Sequence, residues 1–268
     1  MTKIVLLTGV SGGLGSAIAK KLSSKGYKVY GTSRNPIEST NQDFIPVQMD
    51  LTDSASISRV VKNLIAKEKK IDILINNAGI GITGSIEETS LEAVRLAFET
   101  NFFGTMQLIQ EVLPHMRKQK SGTLINISSI AGYTGLPYRG IYSATKAAVM
   151  RITEALSAEV KSFGIRIIDI APGDFNTDIA KGRIYAENKK ESPYFKDYER
   201  VLKMMDEEVE SGLNPKVLGN KIDRILNLKT PKLKYNIGIF MQRLTPCLVT
   251  CLPSRFFEKL IRNHYKIR

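Results

Sequence analysis

A tyrosine and a lysine lie four residues apart in the segment Tyr142-Ser-Ala-Thr-Lys146. On a helix, positions i and i+4 share one face, so the phenol and the ammonium can point into the same pocket. A phenol ordinarily has a pKa of about 10, and a neighbouring cation lowers that pKa towards the range in which general acid–base catalysis works. Ser129, thirteen residues before the tyrosine, can supply a hydroxyl to a substrate oxygen. Two ordinary helix residues can have the same spacing, so the meaning of the pair depends on the rest of the chain.

A glycine-rich turn follows a short apolar run at the start of the sequence. Residues 3–8 (KIVLLT) have the nearly continuous apolar character of a strand buried on both faces of a parallel sheet. They lead into Gly9-Val-Ser-Gly12-Gly13-Leu-Gly15, and a helical pattern comes next. Such a turn lets backbone N–H groups and a helix N-terminus receive a phosphate. Its place between a first strand and a helix predicts dinucleotide binding.

The end of the second predicted strand, 28–32, indicates which dinucleotide is bound. Ser33-Arg34-Asn35 follow this strand, and the next carboxylate is Glu38. Folds that select NAD usually place an acid here to hold the ribose 2′-hydroxyl, whereas an arginine accommodates a 2′-phosphate. The sequence therefore favours NADP(H) over NAD(H). The alternative is that Arg34 is only a solvated loop residue.

Polar residues also follow the other predicted strands at their carboxyl ends, where open α/β sheets bind ligands. The strands at 44–49, 71–75, 122–127 and 165–170 are followed, respectively, by Asp50-Leu51, Asn76-Asn77-Ala78-Gly79, Ser128-Ser129 and Pro172-Gly173. Helical patterns separate the strands. The alternation predicts an α/β fold, a doubly wound parallel sheet of the Rossmann type with helices on both faces. A segment at 233–239 supplies a seventh strand.

Three asparagines stand out in this pattern. Asn76 and Asn77 either end a strand as turn residues or fasten neighbouring strands beneath a cofactor. Asn101 lies in an apolar stretch (LAFETNFFG) of a helix predicted over 90–104. Because a buried amide needs hydrogen-bond partners, Asn101 either satisfies a kink in the helix or belongs to a proton relay.

Together these motifs resemble the short-chain dehydrogenase/reductase family. Thr8-Gly9-x-x-x-Gly13-Leu-Gly15, Asn76-Asn77-Ala78-Gly79, Asn101, Ser129, Tyr142-x-x-x-Lys146 and Pro172-Gly173-x-x-x-Thr177 occur in the family's order, over about residues 3–180. One departure is Leu14, where isoleucine is commoner. The segment GLPYRGIYSATKAAV is similar to the subgroup of hydroxysteroid 17-beta dehydrogenases and retinol dehydrogenases.

The resemblance implies a role for each matched position. Tyr142 would be the general acid when a ketone is reduced and the base when an alcohol is oxidised, while Lys146 would hold the nicotinamide ribose. Ser129 would hydrogen-bond the substrate oxygen, and Asn101 would support a water-linked proton relay to Lys146. The expected cofactor-binding residues are Gly9, Ser11, Gly13, Leu14, Gly15, Ser33, Arg34, Asp50, Leu51, Asn77, Ala78, Gly79, Tyr142, Lys146, Pro172, Gly173 and Thr177. No metal site is expected.

The resemblance also divides the chain. We expect a dinucleotide-binding and catalytic domain over 1–239, with an irregular substrate lid over about 178–215. Apolar lid residues either line a pocket or pack the lid onto the body; they are Ile179, Ile184, Tyr185, Tyr194, Phe195, Leu202, Met204 and Met205. No cation there is dedicated to a substrate carboxylate. This favours a lipophilic substrate such as a steroid, a retinoid or a long-chain keto lipid.

Residues 240–268 form a basic, apolar tail. Of the net charge of +13, +10 lies in residues 216–268, where twelve lysines and arginines accompany two acids. Pro246 and Pro253 are expected to break the tail into helical pieces, the last of which places four apolar side chains on one face: Phe256, Phe257, Leu260 and Ile261. A basic amphipathic helix of this kind lies at a membrane surface, or it covers the pocket or another subunit.

Composition limits the remaining possibilities. The chain has 268 residues, 43% hydrophobic and 24% charged, as in ordinary globular proteins. It has no apolar run long enough for a membrane span and no signal-peptide pattern, so a cytoplasmic location is expected, with peripheral membrane contact as one role for the tail. Cys247 and Cys251 are expected to pack in a helix, the alternative being a metal or redox pair. No nucleic-acid recognition motif accompanies the basic charge, and the family resemblance implies a homodimer or tetramer.

The sequence therefore predicts an NADP(H)-dependent oxidoreductase that interconverts a ketone or aldehyde and an alcohol by hydride transfer. The alternative is a non-catalytic NADP(H)-binding regulatory protein on the same fold. The presence of Ser129, Tyr142 and Lys146 argues against this alternative, because a sensor needs no proton donor beside the nicotinamide.

Overall fold

The computed structural model describes residues 2–35, 44–177, 182–187 and 190–267. Ile179, one of the apolar lid residues, lies outside this part. The strands are β1 Ile4–Thr8, β2 Lys28–Ser33, β3 Ile45–Gln48, β4 Ile73–Asn76, β5 Ile82–Thr83, β6 Gly122–Ile127, β7 Ile165–Pro172, β8 Ile184–Tyr185 and β9 Lys234–Ile237. The helices are α1 Gly13–Ser23, α2 Ser54–Glu68, α3 Leu91–Phe98, α4 Gly104–Gln119, α5 Gly140–Glu159, α6 Phe195–Glu210, α7 Lys216–Leu226, α8 Phe240–Cys251 and α9 Ser254–His264.

Seven parallel strands form the main sheet in the order β3-β2-β1-β4-β6-β7-β9. The strand order reverses between β1 and β4, which confirms the predicted doubly wound sheet. Successive residues of β1 face opposite layers, so Leu6 packs with α2 and α4 while Val5 and Leu7 pack with α1 and α7. The short parallel ladder of β5 and β8 was not expected.

The helix predicted over 90–104 is α3 followed by a π-helical segment, Glu99–Phe103, which continues into α4. Asn101 is buried in this segment. Its side chain accepts a hydrogen bond from Ile80 N at 2.8 Å and donates to Ile80 O at 2.9 Å. The amide therefore satisfies the backbone of the loop after β4, not a kink in its own helix, and its part in a proton relay stays a prediction.

The lid is not irregular, as the sequence had suggested, because residues 195–210 form the regular helix α6. Tyr198, Val201 and Met205 are its buried residues. Their helical spacing was present in the sequence but was obscured by the many charged residues between them. Met205 packs the lid onto the body. The other described apolar lid residues are at least partly exposed, namely Ile184, Tyr185, Tyr194, Phe195, Leu202 and Met204.

The tail forms α8 and α9. Pro253 separates them, but Pro246 lies inside α8 and does not end it, contrary to the prediction. A proline removes only its own N–H bond, and the helix continues with Thr250 Oγ1 donating to Pro246 O at 2.9 Å. Cys247 and Cys251 are exposed rather than packed, because α8 has no fully buried residue. None of the described helices is long and apolar enough to cross a membrane.

Candidate active site and cofactor cleft

A cleft of about 500 Å³ lies at the carboxyl ends of β1, β2 and β4. Most of the expected cofactor-binding residues line it. Those lining it are Gly9, Ser11, Gly13, Leu14, Gly15, Ser33, Arg34, Asp50, Leu51, Asn77, Ala78, Gly79 and Thr177. The expected residues Tyr142, Lys146, Pro172 and Gly173 are not among its lining. Residues not expected from the sequence also contribute, namely Gly12, Thr32, Met49, Ile80, Thr100 and Gly182.

Glycines shape one wall of this cleft because side chains would not fit. Gly9 has φ +75°, and a Cβ on it would lie 2.8 Å from Ala78 Cα. A Cβ on Gly15 would lie 1.9 Å from the carbonyl oxygen of Gly9. Helix α1 starts at Gly13 without a side-chain cap, so its first N–H groups remain available to a ligand. This cradle at a helix N-terminus fits the diphosphate of a dinucleotide.

Thr8 and Asn77 join the glycine turn to the loop after β4. Thr8 Oγ1 accepts hydrogen bonds from Asn77 N at 3.0 Å and Ala78 N at 2.9 Å. Asn77 Nδ2 donates to Thr8 O at 2.9 Å and Gly9 O at 3.1 Å. Beneath them, Asn76 Nδ2 donates to Asn126 Oδ1 of β6 at 2.8 Å. The asparagines therefore fasten neighbouring strands rather than merely end one.

Arg34 and Ser33 lie at the end of β2, where an adenosine ribose would sit. Arg34 is exposed and lines the cleft. Asp50 is the acid among the described lining residues, and its Oδ1 already accepts two hydrogen bonds from Thr52, both of 2.8 Å. The described part of this end of the cleft is therefore open and carries a guanidinium.

Lys146 and Asn101 converge on Gly79 at the wall of the cleft. A Cβ on Gly79 would lie 3.1 Å from Asn101 Oδ1 and 3.4 Å from Lys146 Nζ. Lys146 is buried, and its Nζ donates to Ile127 O at 3.0 Å. Asn101 Nδ2 also lies 3.1 Å from Thr145 Oγ1 of α5. The structure thus brings together an amide from the π-helical segment and an ammonium from α5.

Tyr142 lies in the first turn of α5, with Lys146 Nζ 5.8 Å from the centroid of its ring. Within the described chain, its hydroxyl makes no hydrogen bond, so it remains free for a ligand. Ser129 is buried at the carboxyl end of β6 and begins a short 3-10 turn. Its Oγ accepts from Ala131 N at 3.1 Å and donates to Pro172 O at 3.5 Å. Ser129 and Pro172 are thereby held together at the ends of adjacent strands.

Several polar residues beside this site gave no signal in the sequence. Arg139 lies 5.7 Å from the ring centroid of Tyr142, on the loop that enters α5. Asp174, next to Gly173, accepts a hydrogen bond from Gln242 Nε2 of α8. Burial raises the pKa of the Asp174 carboxyl, and the Arg139 charge partly opposes that rise. Gly173 packs against Gln242, since a Cβ there would lie 2.0 Å from Gln242 Oε1.

Asp169 is a buried carboxyl on β7 behind the lysine. It is completely inaccessible, and neither oxygen has a hydrogen-bond partner. The nearby Ser128 Oγ donates instead to Ile170 O at 3.2 Å. Burial raises the pKa of Asp169 to about 6, while Ser128, Lys234 and Lys146 oppose the rise. A proton on this carboxyl is therefore held more tightly than in the unfolded chain.

The strand order and the glycine-lined cleft at its switch point define a dinucleotide-binding protein of the doubly wound α/β class. Residues 3–188 match the sequence model of the family described as short chain dehydrogenase. The chain therefore belongs to the short-chain dehydrogenase/reductase family, and it is an oxidoreductase that acts on small molecules. Of the solved structures with this fold, one is a complex with NADP+ and another is a complex with NAD.

Three individual proteins illustrate the similarity. The 3-ketodihydrosphingosine reductase of Bacteroides thetaiotaomicron is 39% identical over 267 residues, which cover 99% of each chain. The NADPH-dependent 3-dehydrocapnine reductase of Ornithobacterium rhinotracheale is 28% identical and covers 98% of each. The crystal structure of a short-chain dehydrogenase from Streptomyces avermitilis has a TM-score of 0.83 at 28% identity, covering 99% of this chain and 96% of the other.

Proposed function

We propose that this protein is an NADP(H)-dependent oxidoreductase that interconverts a lipophilic ketone and the corresponding alcohol. The observation that carries the proposal is the convergence of Lys146 and Asn101 on Gly79, at the wall of the glycine-lined cleft. Tyr142 lies on the same helix as Lys146, with a hydroxyl that has no partner among the described residues. A proton donor therefore stands beside the place where a dinucleotide would lie.

Each side chain of the site has a chemical role in this proposal. A bound nicotinamide supplies or accepts the hydride. Tyr142 gives its proton to the carbonyl oxygen during reduction and removes a proton from the hydroxyl during oxidation. Ser129 donates a hydrogen bond to the same oxygen. Lys146 donates one N–H to Ile127 O and keeps its other two donors for ribose hydroxyls. Asn101 supports a water molecule through which a proton returns to Tyr142 after reduction.

The preference for NADP(H) rests on Arg34. Its guanidinium lines the open end of the cleft, where it could bind the 2′-phosphate of NADP. A relative of similar length is NADPH-dependent by name, which agrees with this assignment. With NADPH as the cofactor, reduction is the expected direction.

A long-chain keto lipid is the proposed substrate. The relative named 3-ketodihydrosphingosine reductase is similar along nearly the whole of both chains, so the resemblance includes the lid and the tail. Within the described lid, α6 has the buried apolar residues Val201 and Met205. From the sequence, no cation of the lid is assigned to a substrate carboxylate, which agrees with a lipophilic substrate. Peripheral membrane contact of the basic tail fits a substrate that partitions into bilayers. A cytoplasmic location, a homo-oligomer, and the division into 1–239 and 240–268 stay predictions.

The test is a fluorescence titration with NADPH and NADH, followed by cofactor consumption with ketones that include 3-ketodihydrosphingosine. The wild type should bind NADPH more tightly than NADH, and Arg34→Asp should reverse that order. Tyr142→Phe should keep NADPH affinity within about twofold while turnover falls by roughly 10²–10⁴-fold. Tyr133→Phe is the matched control, because this half-buried hydroxyl binds Asn236 instead, at 2.9 Å.

Three results would count against the proposal. If the wild type bound NADPH but turned over no ketone, and Tyr142→Phe bound NADPH equally well, the non-catalytic regulator would be favoured. Turnover by Tyr142→Phe equal to that of Tyr133→Phe would remove the assigned role of the tyrosine. Absence of binding to either dinucleotide would reject the cofactor as well.

A further inference from the structure

Helix α9 has an inner face that packs on the rest of the molecule. Ile261 and Tyr265 form a small apolar cluster with Val201 and Met205 of α6. His264 Nε2 lies 2.9 Å from Glu208 Oε1, also on α6. The inner face of the tail is thus attached to the lid helix.

The outer face of α9 mixes large apolar side chains with cations. Phe256 is 52% exposed and Leu260, one turn later, is 40% exposed. Arg255, Lys259 and Arg262 are exposed around them. In the described chain the carboxylate nearest to these cations is Glu258, 3.5 Å from Arg255, and an exposed pair of this kind contributes little. This arrangement is typical of helices that lie in a lipid interface.

The neighbouring surface extends this pattern. Phe240 and Met241 at the start of α8 are 69% and 61% exposed. A groove of about 580 Å³ between α7, β9 and α8 is lined in part by Lys221, Lys232 and Arg243, and no acid is among its lining residues. A second copy of the chain would bring like charges against these cations. An anionic surface complements them.

We propose that α9, together with the start of α8, docks the protein on an anionic lipid bilayer. Phe256 and Leu260 enter the boundary between headgroups and acyl chains, and Arg255, Lys259 and Arg262 meet lipid phosphates. The net charge of +10 over residues 216–268, which include α7 and β9 as well as the tail, adds long-range attraction to the same surface.

The helix that carries the docking surface approaches the catalytic segment through its inner face. Tyr265, at the end of α9, is buried with its hydroxyl within reach of Arg139. Arg139 in turn lies 5.7 Å from the ring centroid of Tyr142. Transfer of a substrate from the bilayer to the site rests on the proposed function. On that basis a lipid ketone passes from the bilayer to the pocket with little exposure to water.

The test uses co-sedimentation of the full chain with vesicles of phosphatidylcholine alone or with added phosphatidylglycerol. The wild type should co-sediment with the anionic vesicles at low salt but not at high salt, and it should not co-sediment with the neutral vesicles. R255Q/K259Q/R262Q should weaken binding by roughly a hundredfold. R59Q/K62Q/K118Q is the matched control, because it removes the same charge from exposed residues elsewhere.

A second pair of variants tests the apolar part. Phe256→Ser with Leu260→Ser should weaken vesicle binding at least tenfold, since two large side chains lose their burial in lipid. Leu91→Ser with Leu96→Ser changes two residues of α3 that are 64% and 45% exposed, more than Phe256 and Leu260 respectively, and should leave binding unchanged. Circular dichroism and NADPH affinity of all four variants should match the wild type.

Catalysis separates this proposal from the proposed function. With a water-soluble ketone the α9 variants should turn over like the wild type, whereas with a lipid ketone in anionic vesicles their kcat/KM should fall. Vesicle binding without any turnover would reject the proposed function and keep the docking surface. Four other results would each overturn the docking proposal. The α3 controls could lose vesicle binding as much as the α9 variants do, or the wild type could bind neutral vesicles. The wild type could bind nucleic acid more tightly than anionic vesicles, or the α9 variants could convert a wild-type dimer to a monomer.

Discussion

At the scale of single residues, the site combines groups that are satisfied with groups that are not. Lys146 and Asn101 have backbone partners that fix their positions, while the hydroxyl of Tyr142 has none in the described chain. The fixed groups hold the geometry before any ligand arrives, and the proposed function assigns the reaction to the free group. Asp169 is the exception, because it is buried without a partner and lies outside the assigned chemistry.

Asp169→Asn should make the free energy of unfolding less dependent on pH. The pKa of Asp169 is about 6 in the folded protein against 3.8 in the reference state. The native state therefore binds the proton more tightly, and stability falls as pH rises from about 4 to about 6. Above pH 6 the buried carboxylate costs about 3 kcal/mol at most. The variant should equal the wild type at pH 4 and be more stable by about 2–3 kcal/mol at pH 7.

Urea unfolding of both proteins between pH 4 and pH 8 checks this expectation. The difference between the two proteins isolates Asp169, since all other titrating groups are shared. Parallel curves over the whole pH range would show that the carboxyl has no raised pKa.

At the scale of elements, the end of β1 and the start of α1 form the tightest part of the cleft. Thr8 and Asn77 hold the turn, and Gly9 and Gly15 let two backbone segments approach each other. This closeness brings the first N–H groups of α1 to the cleft, where the helix dipole favours a phosphate.

Gly15→Ala should destabilise the protein without any ligand present. The new Cβ would lie 1.9 Å from Gly9 O, so the backbone must shift. We expect a loss of about 1–3 kcal/mol in the free energy of unfolding. Gly12→Ala is the control within the same turn, because its Cβ would meet nothing within 4 Å. Equal stability of the two variants would show that the turn relaxes freely.

At the scale of the whole molecule, the tail connects segments that are far apart in sequence. Gln242 of α8 binds Asp174 after β7, Tyr265 approaches Arg139 before α5, and His264 pairs with Glu208 of the lid. The lid and the tail therefore pack as one unit beside Tyr142.

His264→Gln should reduce the pH dependence of this attachment. The hydrogen bond to Glu208 raises the pKa of His264, and burial opposes it to a smaller extent. A raised pKa means that the pair stabilises the folded state fully below about pH 6.5 and less as pH rises through the folded value. Because the His264 side chain is 53% exposed and that of Glu208 is 27% exposed, solvent screens the pair and the effect should stay below about 1 kcal/mol.

Hydrogen exchange of the α9 amides at pH 6 and pH 8 measures this effect directly. In the wild type, protection should fall between the two pH values by more than the intrinsic exchange rate explains. In His264→Gln that extra fall should disappear. An unchanged fall in the variant would assign it to another group.

The sequence by itself determined the strands of the main sheet and most residues of the cleft. Buried parallel strands are continuous apolar runs, and ligand-binding residues follow their carboxyl ends, so the strands themselves and positions such as Gly9, Arg34 and Asn77 could be predicted from local sequence. The spacing of Tyr142 and Lys146 likewise placed both on one helix. These features depend on residues close together in the chain.

Only the tertiary structure decided how the later segments meet the site. Three features differ from expectation: the lid contains the helix α6, α8 is not interrupted, and its cysteines are exposed. Many charged residues hid the helical spacing of α6, and one proline did not end α8, because long-range packing outweighs such local signals. Asp169 is an ordinary strand residue in the sequence, and its burial depends on β6, β9 and α5 covering it. Arg139 and Tyr265 are 126 positions apart (265 − 139), so no local pattern could reveal their contact. Such contacts follow from the packing of the completed fold, which local residue patterns do not specify.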